Sequence, residues 1–275
     1  MRRTIGVCLL AVVAYGCRGL PSFHSAPPLP TQHQVPAQQL VFHCDFDLPP
    51  DHRLVRELTA ERDDVADTLG LPASDEPIDV YLFRDADAYG QYLRRHFPTV
   101  PSRRAFFVET DTRLAVYAHW SDRVAEDLRH EVAHGYLHAS VPAIPLWLDE
   151  GLAEYFEVPR GHGGLNRPHL QLLTDLMEHN GFTPNVERLE QLTNAADMQQ
   201  VDYAESWAWV YFLLNSTPER REILTKYLAD MHDQGAVGPL SRRLARLNIQ
   251  PAQNLAEYLR TLNTDVAKRE SRRTK

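Results

Sequence analysis

The chain has 275 residues, 29 Lys and Arg against 37 Asp and Glu, a formal net charge of −8, and 43% hydrophobic residues. That apolar fraction supports a folded core and excludes a wholly disordered chain. The acidic balance argues against a general nucleic-acid binder, whose phosphate contacts need a basic surface. Neither G-x-x-x-x-G-K-S/T nor G-x-G-x-x-G occurs, which leaves nucleotide chemistry without support.

At the N-terminus, Arg2 and Arg3 precede an apolar run from Ile5 to Ala14 that is too short to span a bilayer as a stable helix. Residues 1–16 are therefore expected to be an export signal. Ala14-Tyr15-Gly16-Cys17 resembles a bacterial lipobox, which implies lipidation of Cys17 and a membrane anchor in the cell envelope, on the periplasmic or extracellular side. Ala14 stands where Leu is commoner, and ordinary signal cleavage that leaves Cys17 a thiol is the alternative. With Cys17 acylated, Cys44 has no partner and reads as a small buried residue in a strand. Otherwise a Cys17–Cys44 disulfide is open.

Residues 17–38 hold Pro21, Pro27, Pro28, Pro30 and Pro36 and read as a tether. The folded domain is expected over residues 39–264, with 265–275 a basic disordered tail. Within the domain, residues 40–46 read as a strand and 52–69 as a helix, with apolar positions at helical spacing and Gly70 as its stop. Ile78 to Phe83 is the next strand, and Asp85 caps a helix near 86–96. Residues 104–108 and 113–118 read as a hairpin. The strand from Arg113 to Ala118 is expected at a sheet edge, where an extended peptide can add as a further strand. From Asp122 onward helices are expected at about 123–139, 147–157, 167–179, 186–193, 203–215, 218–231, 237–247 and 252–264. The class is α+β, a mixed N-terminal sheet lobe followed by a helical C-terminal lobe.

His130-Glu131-Val132-Ala133-His134 is H-E-x-x-H. On a helix, residues four apart share a face, so His130 and His134 can offer imidazole nitrogens to one ion. Neutral imidazoles suit Zn²⁺. Glu131 lies to the flank, where it can act as general base on a metal-activated water. A catalytic zinc also needs a third protein ligand and an open position. Downstream, Glu150 and Glu154 share one face of the largely apolar helix Trp147-Leu148-Asp149-Glu150-Gly151-Leu152-Ala153-Glu154-Tyr155-Phe156-Glu157. Two carboxylates on a buried helix need a cation or donors. Glu157 reads as a solvated acid.

The pair H-E-V-A-H and W-L-D-E-G-L-A-E-Y resembles the gluzincin metallopeptidases, in which the Glu of E-G is the third zinc ligand. That resemblance implies Glu150 as ligand and a thermolysin-like core. It also implies that Glu154 accepts the spare N–H of a ligand histidine, the competing assignment being Glu154 as ligand and Glu150 as support. Residues 39–262 more specifically resemble bacterial secreted or lipid-anchored proteins with a peptidase MA-like domain of uncharacterised function. The shared features are the I-D-V-Y-L-F strand, the hairpin, the two zinc motifs and a later Y-A-E-S-W helix. Tyr203, which opens that helix, is a candidate donor to the oxyanion of amide hydrolysis, a buried structural Tyr being the plain alternative.

His138, a further turn along, is too far to share one tetrahedral centre with His130 and reads as a surface or capping residue. Tyr136 reads as packing. His119 and Trp120 precede the zinc helix with no role assigned, and Arg160 to Gly164 reads as a surface loop or a gate over the cleft. The expected function is zinc-dependent hydrolysis of a peptide or protein substrate outside the cytoplasm, with no nucleic-acid partner. The alternatives are a non-catalytic zinc-containing binding or scaffold protein of the envelope, and an envelope protein with an incidental H-E-x-x-H.

Overall fold

In a computed structural model, residues 28–98, 103–246 and 250–273 are described. The expected signal, Cys17 and the first part of the expected tether lie outside the described residues. Strands β1 (His33–Ala37), β2 (Leu40–Cys44), β3 (Ile78–Phe83), β4 (Ala105–Thr110) and β5 (Arg113–His119) form one mixed sheet in the order β1-β2-β3-β5-β4. β1–β2 and β4–β5 are antiparallel pairs, while β2–β3 and β3–β5 are parallel, with Leu40 opposite Ile78 and Ile78 opposite Leu114.

Strand alternation divides this sheet between two cores. Phe42, Cys44, Ile78, Val80, Leu82, Leu114, Val116 and Ala118 face the main core. Tyr81, Phe83, Ala115 and Tyr117 face a smaller aromatic core completed by Tyr89, Tyr92 and Phe106. Cys44 is fully buried and free, and burial pushes its thiol up to about 12.

Helix α1 (Arg53–Leu69) crosses from β2 to β3. His52 Nδ1 accepts the Leu54 amide at its start, and Gly70 ends it in the left-handed region, at φ 66°, which glycine adopts without strain. Helix α2 (Ala86–His96) starts from Asp85, whose carboxylate accepts the Asp87 and Ala88 amides. The rest is helical: α3 (Val124–His138), α4 (Leu146–Phe156), α5 (Arg167–His179), α6 (Val186–Leu189), α7 (Gln200–Asn215), α8 (Pro218–Gln234), α9 (Leu240–Arg246) and α10 (Pro251–Arg273). Helix α3 packs on β3, β4 and β5 with one flank and on α1 and α4 with others, so it joins the sheet to the helical part. Helix α7 is buried from Ala204 to Leu214 and lies against α4, α5, α8 and α10, as a helix apolar all round must.

Three expectations need correction. The stretch read as tether supplies β1, an edge strand in which only Val35 is buried and Pro36 is tolerated because one side of the strand has no sheet partner. Residues 265–273, read as disordered tail, continue α10, and Arg167 pairs with Glu270 there. The strand Arg113–His119 is internal, between β3 and β4; the free edge beside it belongs to β4.

Candidate metal centre

Helix α3 carries His130, Glu131 and His134, while α4 carries Asp149, Glu150, Glu154 and, at its C-cap, Glu157. The two helices pack together with both motif faces inward. The seat of α4 depends on Gly151: a Cβ there would stand 2.5 Å from the Ser206 carbonyl oxygen of α7, which no side chain can share. The glycine after Glu150 thus seats α4 on the buried helix α7.

His130 Nε2 and His134 Nε2 lie 3.2 Å apart, and Glu150 Oε2 lies 3.5 Å from the first and 3.7 Å from the second. Tetrahedral ligands at about 2.0–2.1 Å from zinc are separated by about 3.3–3.4 Å, so the triangle has the size that zinc requires. Glu131, Asp149, Glu150 and Glu154 are each only 9% exposed. Such a concentration of buried carboxylate needs compensating positive charge, and two imidazoles with one carboxylate are a donor set that zinc accepts. The residues present fit the ion.

The outward nitrogens of both imidazoles meet carboxylates. His134 Nδ1 is 2.9 Å from Asp149 Oδ1, and His130 Nδ1 is 3.3 Å from Glu157 Oε2. Glu157, read from sequence as a solvated acid, therefore belongs to the site. Glu154 does not take the role expected of it: its Oε2 is bonded to His169 Nε2 at 2.8 Å and accepts from Asn166 Nδ2 at 3.3 Å. His138, expected as a surface or capping residue, closes the last turn of α3 half-buried. It is held between Asp149 Oδ2 at 3.1 Å and Glu109 Oε2 at 2.6 Å, which extends a polar chain from His134 to β4.

Electrostatics follow this arrangement. Burial opposes charge on the His130 and His134 imidazoles, but Glu150 and Glu157 outweigh it at His130 and Asp149 outweighs it at His134, so both are raised. Burial also opposes charge on Asp149, and the His134 and His138 imidazoles beside it lower it nevertheless. Burial raises Glu131, with His130 and His134 pulling the other way. Burial raises Tyr203 as well, reinforced by Glu150.

Glu131, His130, His134, Glu150 and Tyr203 line one cleft of about 910 Å³, together with Tyr89, Leu93 and Phe97. His119 also lines it, whereas Trp120 does not. Tyr136 is packing: its hydroxyl donates to the Leu58 carbonyl at 3.0 Å. The Arg160–Gly164 loop borders a different cavity and is pinned by an Arg160–Asp64 pair and by Trp207 Nε1 donating to the Gly164 carbonyl. Sequence reasoning missed Asp149, Glu157 and Glu109. The first two were within reach, since Asp149 adjoins the ligand and Glu157 lies two helical turns beyond it.

Fold and site together define an α+β protein whose H-E-x-x-H helix and a second acidic helix converge on a place that could hold a metal. Residues 124–236, which span every ligand candidate and Tyr203, match a family described as a protein of unknown function, DUF1570. No curated protein matches the chain.

Proposed function

We propose that this chain is a zinc-dependent hydrolase of peptide bonds with a thermolysin-like, gluzincin arrangement of the site. The observation that carries the reading is the triangle of His130 Nε2, His134 Nε2 and Glu150 Oε2 beside a buried Glu131 that lines the same cleft. His130, His134 and Glu150 would hold the ion. Zinc supplies a Lewis acid for the scissile carbonyl and lowers the pKa of water to about 7.

The chain's own groups do the rest. Glu131 takes the water proton and passes it to the leaving amine, a transfer favoured by a carboxylate whose basicity burial has raised. Tyr203 donates to the developing oxyanion from the α7 side of the cleft. The free edge of β4, which begins at the cleft, offers an extended peptide its backbone partners. Export through residues 1–16 and anchoring at Cys17 belong to the same reading and rest on sequence alone.

A non-catalytic zinc scaffold is the competing reading. A structural site is usually closed by four protein ligands, whereas the grouping here has three. Digestion of a peptide library by the zinc-loaded full chain tests the proposal. Wild type should cleave, Glu131→Gln should lose about 10²–10⁴-fold, and Tyr203→Phe about 10²-fold. Zinc-loaded wild type that cleaves nothing in the library would favour the scaffold.

A further inference from the structure

At the end of β5 the chain turns away from the metal cleft. His119 lines that cleft, while the next residue, Trp120, lines a separate cavity of about 480 Å³. Trp120 is 37% exposed and is the single exposed large hydrophobic side chain among the described residues; Trp147, Trp207 and Trp209 are buried. A partly exposed indole beside a cavity of ligand size is a candidate contact surface.

Two more rings complete the corner. Phe46 stands 5.3 Å from Trp120 at an interplanar angle of 77°, and His52 stands 5.7 Å away at 63°. His52 Nδ1 is already occupied by the Leu54 amide. Carboxylates flank Phe46 on both sides, Asp45 and Asp47, and both line the cavity. The cation there, Arg84, is engaged by Asp45: it donates to the Asp45 carbonyl at 2.6 Å and stands 3.9 Å from Asp45 Oδ1. Asp47 is exposed, and no hydrogen bond or ion pair engages its carboxylate among the described residues.

Aromatic rings have negative faces and positive edges, and Trp120, Phe46 and His52, with Phe46 and His52 each set steeply to the indole, line one cavity with an unspent carboxylate at its rim that adds negative potential. The complementary ligand is an organic cation. We infer that the Trp120–Phe46–His52 cavity binds a quaternary ammonium group of the choline type. A cation without N–H donors suits this corner better than a primary ammonium. The rings offer it no acceptor, since His52 Nδ1 is taken by the Leu54 amide; Asp45 Oδ1 accepts no hydrogen bond but is buried away from a ligand, and the Asp47 carboxylate is exposed at the rim. The inference does not depend on the hydrolase reading.

The test titrates the full chain with choline and with 3,3-dimethylbutan-1-ol, its uncharged isostere, followed by calorimetry and by tryptophan fluorescence, which the exposed Trp120 reports. Choline should bind saturably in the millimolar range, and the alcohol about tenfold more weakly. Trp120→Ala, at an exposed position that the core does not need, should lose choline binding about tenfold or more by calorimetry, and Asp47→Asn severalfold. Butylammonium should bind more weakly than choline. Equal binding of choline and the alcohol, tighter binding of butylammonium, or no saturation with choline would overturn the inference.

Discussion

Each imidazole at His130 and His134 has two nitrogens, and all four stand near a carboxylate. The Nε2 atoms converge with Glu150, while the Nδ1 atoms face Glu157 and Asp149. A carboxylate behind a ligand imidazole fixes its tautomer and raises its basicity, and removing it typically weakens metal binding about 10–100-fold. Glu157→Ala and Asp149→Ala should each lower zinc affinity by that factor, measured by competition with a chelator while circular dichroism confirms the fold. Glu154→Ala should change it far less, because Glu154 is bonded to His169 and Asn166 instead. Equal losses for Glu154→Ala and Glu157→Ala would restore the role that the family resemblance implied for Glu154.

Helices α3 and α4 show which parts of the element scale are legible in a sequence. The four-residue spacing of His130 and His134, and of Glu150 and Glu154, puts each pair of donors on one helix face, and that much follows from residue order alone. The facing of those helices is not legible, because it is set by the packing of α3 on α4 and the sheet and of α4 on α7, including the contact that only Gly151 permits. Edges and ends were the weak points. β1 carries a single buried residue and a proline, so it lacks the alternation that marks a strand. The basic end of α10 lacks an apolar stripe, and charge alone read as disorder. Nor does one hairpin reveal which of its strands joins the sheet: β4 and β5 are both apolar, and only the pairing of β5 with β3 leaves β4 at the edge. The polar chain through His138 was hidden for a related reason, since Glu109 reaches it from β4 across a tertiary contact.

Over the whole molecule, α3 is where sheet and helices meet, and the charge buried around it bears on global stability. Glu61 on α1 is 4% exposed, neither of its carboxylate oxygens has a hydrogen-bond partner, and burial raises it well above its ordinary value despite Arg129 nearby. The folded chain therefore keeps a proton that the unfolded chain releases near pH 4.5. Stability is full below that pH and falls as pH rises from 4.5 toward the raised value. Glu61→Gln removes this ionisation-linked loss and should raise the melting temperature at about pH 8. The gain over wild type should shrink toward pH 4.5 in melting curves. No helix among the described residues is long and apolar enough to cross a membrane. The measurement closest to the central claim is the zinc content of the purified full chain. One zinc per chain in wild type and in Glu131→Gln, with loss in His134→Ala and Glu150→Ala, is the expected result. Zinc retained after both ligand substitutions, or never bound by wild type, would contradict it.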